Sequence, residues 1–126
     1  MSARDALGQT LLELLAPLGP VQIRRMFGGS GVFLDGLMFG LVADDVLYFK
    51  ADAETSPDYE AEGLEPFRYA RSDGRVTVMS YWQAPERLLD EPDEMVAWAR
   101  KAIGTARRAA HKAKAAGRAS DGRRKR

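Results

Sequence analysis

The stretch RRMFGGSGVFLDGLMFG, residues 24–40, contains five glycines and two Met-Phe pairs. Such a segment is either a phosphate-binding loop or the bends of a small sheet. A Walker-type loop requires Gly-x4-Gly-Lys-Ser/Thr, but no lysine precedes Lys50. A dinucleotide-binding turn requires Gly-x-Gly-x-x-Gly, and Leu34 stands where the third glycine would be. The residues that follow are strand-like rather than helical, so we interpret the glycines as bends of a sheet.

The same stretch continues into a pattern of short strands separated by turns. Asp35-Gly36 lies between two apolar runs and predicts a two-residue hairpin, because both central residues of a type I′ turn need positive φ. Residues 43–45 predict the next reversal, and residues 72–74 predict a second hairpin. The predicted strands are residues 21–27, 31–34, 37–42, 46–50, 67–71 and 75–82.

Three helices complete the prediction. Leucines at positions 7, 11, 14 and 15 share one face of an N-terminal helix over about residues 3–16. Ser56-Pro57 opens a short helix that ends at Gly63, and Pro92 occupies the first turn of a long final helix. The expected apolar face of that last helix comprises Met95, Trp98, Ala99, Ala102, Ile103 and Ala106. The sequence therefore predicts an α+β fold, an antiparallel meander and hairpin sheet packed by two helices, in the order α-β(3–4)-α-β(2)-α.

Composition limits the class of protein. A chain of 126 residues without cysteine is most simply one domain with no disulfide framework, which fits the reducing cytoplasm. Its N-terminus carries charges and no continuous apolar run, so we expect neither a signal peptide nor a membrane span.

The net charge of +1 conceals a division along the chain. Residues 1–99 hold 8 Lys/Arg against 17 Asp/Glu, a net charge of −9, whereas residues 100–126 hold 11 against 1, a net charge of +10. We therefore predict a body, residues 1–106, and a basic arm, residues 107–126, which is helical at first and disordered beyond Gly117. Such an arm either contacts a polyanion or is a solvated extension.

Catalytic motifs are not evident in the sequence. The single histidine, His111, projects onto the basic face of the last helix and lacks the partners of a metal site or a catalytic triad. The carboxylates at positions 90–94 are explained by a helix N-terminus. We predict a protein that is not an enzyme, with no catalytic residue, no cofactor and no metal site.

The order of the motifs RRMFGGSGVF, LMFGLVADDVLYFKAD, FRYA, MSYWQAP and ERLLDEPDEMVAWARKAIGTA resembles the N-terminal domain of the TfoX/Sxy proteins over about residues 5–106. The resemblance implies a small α+β domain without established catalytic residues. It also implies a link to bacterial competence, because full-length members act as co-regulators alongside the cyclic-AMP receptor protein. Those members carry a second, helical domain, where this sequence has the basic arm.

Two functions stay open at this point. The first is a regulatory domain acting in transcription, whose body binds a protein partner such as the transcription machinery and whose arm adds sequence-independent affinity for nucleic acid. The second is a protein-binding or homodimerising module without nucleic-acid contact. Arg24 and Arg25 are candidate partner-binding residues, and a salt bridge to a body carboxylate is their structural alternative. The candidate nucleic-acid residues are Arg107, Arg108, Lys112, Lys114, Arg118, Arg123, Arg124, Lys125 and Arg126.

Overall fold

A computed structural model describes the backbone of residues 3–26, 28–70 and 72–124, with the side chains of residues 6–26, 28–70, 72–76 and 79–116. The elements in chain order are α1 (Ala3–Leu14), a 3-10 turn (Ala16–Leu18), β1 (Gln22–Met26), β2 (Gly29–Leu34), β3 (Leu37–Ala43), β4 (Val46–Lys50), α2 (Ser56–Glu60), β5 (Pro66–Ala70), β6 (Val76–Gln83), a second 3-10 turn (Glu86–Asp90) and α3 (Pro92–Arg124). The predicted α+β order is confirmed.

The six strands form one antiparallel sheet in the order β1-β2-β3-β4-β6-β5. The first four strands follow one another as the predicted meander. The β5–β6 hairpin then returns so that β6 pairs with β4 and β5 becomes an edge strand. The other edge is β1, and both edges therefore present unpaired backbone groups.

The turns of the meander have the predicted backbone conformation. Asp35 and Gly36 have φ values of 52° and 80°, as a type I′ hairpin requires. Asp44 and Asp45, at the next reversal, have φ values of 51° and 61°. Aspartate tolerates this left-handed region better than most residues because its short polar side chain can bond locally.

The glycine cluster leads into a strand, as the sequence predicted. Gly28, with φ of 77°, makes the turn between β1 and β2. Gly29 and Gly31 lie buried within β2. A Cβ atom added to Gly29 would lie 2.3 Å from the carbonyl oxygen of Val42 in β3. The glycine is therefore needed because two backbones approach closely there.

The helix α3 covers the sheet with the face that its sequence predicts. All six residues of that face are buried, with at most 9% of any side chain exposed. Four of them are alanine or isoleucine, and α3 packs against β3 and β4, so small side chains let the helix approach the sheet closely. Leu11 in α1 and Leu15 just after it belong to the same core and are fully buried.

The structure differs from the prediction in two places. The 3-10 turn over residues 86–90 was not predicted from the sequence. In addition, α3 continues to Arg124, although we predicted disorder beyond Gly117. Alanine, arginine and lysine are strong helix formers, and extending an existing helix needs no new nucleation.

Candidate nucleic-acid interface and adjoining cleft

The basic residues of α3 from Lys101 to Lys114 divide into two groups according to their contacts, while Arg100, nearer the start of the helix, is exposed and makes no ion pair with a described residue. Among the residues of α3 whose side chains are described, Ala106 is the last that is buried. Beyond it, Arg107, Lys112 and Lys114 are exposed and make no ion pair with any residue that the structure describes. These three cations are therefore available to an anionic partner.

The other group is paired with the body. Lys101 Nζ lies 2.7 Å from Asp58 Oδ2 at the start of α2, and it also lies 4.6 Å from the centroid of the Trp98 ring. Arg108 Nη2 lies 3.1 Å from Asp52 Oδ2 and 3.3 Å from Glu54 Oε2. We placed Arg108 in the basic arm by sequence, but these contacts join it to the body.

Asp52 organises the loop between β4 and α2. Its Oδ1 atom accepts hydrogen bonds from the Glu54 amide at 3.0 Å, the Thr55 amide at 3.1 Å and the Thr55 hydroxyl at 3.2 Å, while Oδ2 faces Arg108. Partial burial acts to raise the pKa of Asp52, but the hydrogen bonds from Arg108 and from the two amides hold it below its usual value. One carboxylate therefore shapes the loop and attaches it to α3.

This double role predicts different effects for two substitutions of Asp52. Asp52→Ala removes every acceptor and should lower the free energy of unfolding by about 1–2 kcal/mol, since the group is partly solvated. Asp52→Asn keeps a carbonyl oxygen for the amides and loses only the charge opposite Arg108, so it should cost less than half as much. Urea denaturation of both variants measures the difference. Equal losses would show that the loop hydrogen bonds contribute nothing.

A cleft of about 420 Å³ lies between the end of β4, the Asp52 loop, β6 and α3. Lys50 Nζ donates to Ser80 Oγ at 2.7 Å and lies 5.1 Å from the centroid of the Tyr81 ring. Arg108 and Lys112 enter the cleft from α3. Sequence reasoning missed this site because Lys50 and Ser80 are 30 residues apart and no local pattern joins them.

Arg24 and Arg25, the predicted partner-binding residues, are exposed on the edge strand β1. Arg24 donates to Gln22 Oε1 at 3.0 Å, and its guanidinium carbon lies 5.4 Å from the centroid of the Phe33 ring. Arg24 thus rests on the outer face of the sheet and is not paired with a described carboxylate. Both arginines lie on the edge strand β1, whereas α3 packs against β3 and β4 in the middle of the sheet.

The remaining predicted residues include five arm residues whose side chains the structure does not describe. The side chains of Arg118, Arg123 and Arg124, and all of Lys125 and Arg126, lie outside the described part. His111 is exposed on α3. Within the described residues, no group of three His, Asp or Glu side chains could hold a metal ion. None of the helices described is long and apolar enough to cross a membrane.

Comparison with known proteins shows which family the body of the chain matches. A model of the TfoX N-terminal domain matches residues 13–106, from the end of α1 to Ala106 in α3. The chain belongs to the TfoX N-terminal domain family. The resemblance seen in the sequence is thereby confirmed. The basic arm begins where the match to the TfoX N-terminal domain ends.

Two proteins are distantly similar in sequence to this TfoX N-terminal domain. DNA transformation protein TfoX1 of Aliivibrio fischeri is 29% identical over 101 residues, which are 80% of this chain and 48% of that protein. Protein Sxy of Escherichia coli is 30% identical over 76 residues, which are 60% of this chain and 36% of that protein. The chain thus spans about half the length of the first and less of the second.

Proposed function

We propose that this protein is a cytoplasmic, non-enzymatic regulatory domain whose body binds a protein partner and whose basic arm binds nucleic acid without sequence specificity. The observation that carries the nucleic-acid part is the division of the α3 cations. Lys101 and Arg108 are neutralised by body carboxylates, whereas Arg107, Lys112 and Lys114 are exposed and unpaired among the described residues. Cations held on a helix beyond the core can neutralise phosphates and release counterions.

Lack of sequence specificity follows from the composition of the arm. Residues 107–126 contain no phenylalanine, tyrosine or tryptophan to stack on a base and no asparagine or glutamine to read one. Arginine and lysine on one helix contact phosphates, which position a protein without selecting a sequence. Selection of a site would then come from the protein partner bound by the body. The name of the TfoX1 relative, a DNA transformation protein, agrees with a role close to DNA.

The protein-binding part has its own support. The β5–β6 hairpin exposes Tyr69, Val76 and Met79, which are 50%, 61% and 38% accessible. Exposed apolar residues grouped on one hairpin are typical of interaction surfaces. Arg24 and Arg25 offer a second, charged surface at the opposite edge. A body that only binds protein or pairs with a second copy is therefore the alternative function.

Neutralising the arm tests the proposal. A variant with Arg107, Lys112 and Lys114 all changed to glutamine should bind a labelled DNA duplex roughly tenfold to hundredfold more weakly at about 50 mM salt, because three phosphate contacts are lost. Fluorescence anisotropy measures the affinity. The matched control changes Arg68, Arg75 and Arg100 to glutamine, which removes the same charge from exposed body positions.

The control variant shows whether duplex affinity depends on contacts made by the arm or on the net charge of the chain. If the arm binds nucleic acid, the control variant should lose less than threefold in affinity. Equal weakening by both triple variants would mean that net charge alone governs binding. Absence of binding by the unmodified chain would remove the nucleic-acid part and leave the protein-binding alternative.

A further inference from the structure

The cleft beside α3 contains more positive charge than its own carboxylates neutralise. Asp52 and Glu54 lie on its rim, and both are within ion-pair distance of the same guanidinium, that of Arg108. Lys50 and Lys112 also line the cleft, and neither makes an ion pair with a described carboxylate. Two ammonium groups therefore face the cavity without a counter-ion from the described residues.

One of these ammonium groups is held in place. Lys50 Nζ donates to Ser80 Oγ at 2.7 Å, and the Tyr81 ring lies beside it. Because the Ser80 oxygen accepts this bond, its own proton remains available to donate to an acceptor in the cleft. The Thr105 hydroxyl, by contrast, already donates to the Lys101 carbonyl oxygen at 3.1 Å and accepts from Arg108.

We propose that this cleft binds a phosphate group, with Lys50 and Lys112 neutralising its charge and the Ser80 hydroxyl donating a hydrogen bond to one oxygen. A phosphomonoester carries about −1.5 to −2 charge near neutral pH and a backbone phosphodiester carries one negative charge. Both have several acceptor oxygens, so either can accept hydrogen bonds from two ammonium groups and a hydroxyl. The cleft of about 420 Å³ is larger than phosphate alone. It falls in the size range of small-molecule sites and leaves room for the group that carries the phosphate.

Two sources of phosphate fit this chemistry. One is a small phosphomonoester, and its binding is independent of the proposed function. The other is a backbone phosphate of the nucleic acid, which rests on the proposed function because Lys112 also belongs to the basic arm. Lys50 distinguishes the cleft from the arm, since it lies at the end of β4, in the body.

Titration of the full chain with inorganic phosphate, followed by amide chemical shifts, tests the site. We expect saturable shifts centred on residues 50–54, 80 and 105, with sodium chloride at equal ionic strength producing none. Lys50→Gln and Lys112→Gln should each raise the apparent Kd at least about fivefold. Arg100→Gln is the matched control, because Arg100 is exposed on the same helix and lies outside the cleft, and it should leave the Kd unchanged.

Three results would overturn the proposal. They are shifts that do not saturate, shifts reproduced by chloride, and weakening by Arg100→Gln equal to that by Lys112→Gln. Lys112 is exposed, so its substitution tests the site even if Lys50→Gln perturbs the fold through Ser80.

A second titration, with a DNA duplex, identifies the source. If backbone phosphate enters the cleft, Lys50→Gln weakens duplex binding as well as phosphate binding. If a small phosphomonoester is the ligand, Lys50→Gln weakens phosphate binding alone; either result supports the cleft. Phosphate binding without any duplex binding by the full chain would contradict the proposed function and leave the cleft supported. Duplex binding without saturable phosphate shifts would contradict the cleft alone.

Discussion

Gly29→Val is expected to lower the free energy of unfolding by about 3 kcal/mol, the upper end of the roughly 1–3 kcal/mol that extra volume in a packed interior typically costs. The atom opposite is the Val42 carbonyl oxygen, 2.3 Å from the position of the new Cβ, with the Val42 carbonyl carbon at 3.4 Å. Both belong to the backbone of the central strand β3, which cannot rotate away as a side chain can. Since small domains are stable by only about 5–15 kcal/mol in total, a large part of the stability is lost.

Gly36→Ala is the control for this substitution. Gly36 has positive φ but no atom within 4 Å of an added Cβ, so alanine there costs only the left-handed conformation, about 1–2 kcal/mol. Denaturant unfolding of both variants gives the comparison. If Gly29→Val were no worse than Gly36→Ala, close approach of β2 and β3 would not be the reason for glycine at position 29.

Tyr59→Ala is expected to cost about 3–5 kcal/mol, the range for removing a large buried aromatic side chain. Tyr59 is fully buried, and its ring centroid lies 4.9 Å from that of Trp98, edge to face, and 6.2 Å from that of Trp82. The ring therefore connects α2 to α3 and to the sheet. In thermal or urea unfolding, the variant should show a single cooperative transition at a lower temperature or a lower urea concentration than the parent.

Tyr59→Phe separates the ring from its hydroxyl. The hydroxyl is buried and finds no hydrogen-bond partner among the described residues, and burial raises the pKa of Tyr59 well above its usual value. Removing an unpaired buried polar group relieves its desolvation, so the phenylalanine variant should be as stable as the parent or more stable by up to about 1 kcal/mol. A loss of more than about 1 kcal/mol would reveal a partner for the hydroxyl.

Most of the fold could be predicted from the sequence because the signals are local. The Asp35-Gly36 turn has a conformation that few residue pairs adopt, and the α3 face repeats with helical period. The sequence could not predict that β6, rather than β5, pairs with β4. The β5–β6 hairpin could form with either of its strands next to β4. The sequence did not define where α3 ends, since the lack of large apolar residues beyond Gly117 favours disorder whereas alanine, arginine and lysine favour helix.

The candidate sites depend more on tertiary contacts than on local pattern. The sequence identified the basic arm from its charge, yet it could not separate Arg108, which pairs with Asp52, from Lys112, which does not. The two residues lie one helical turn apart, and only the position of the Asp52 loop distinguishes them. Lys50 and Ser80 meet across the sheet, so no spacing in the sequence could place them in one cleft.

The most direct test of the account is a salt series of duplex binding by the full chain and by a chain ending at Ala110. The shorter chain keeps Arg108 and every buried residue of α3 but lacks the distal cations Lys112, Lys114, Arg118, Arg123, Arg124, Lys125 and Arg126. For the full chain, we expect log K to fall linearly with log salt, by about 0.9 for each phosphate contacted, and we expect most of that slope to vanish in the shorter chain. An equal slope for both chains, or no binding by the full chain at about 50 mM salt, would contradict the assignment of nucleic-acid affinity to the basic arm.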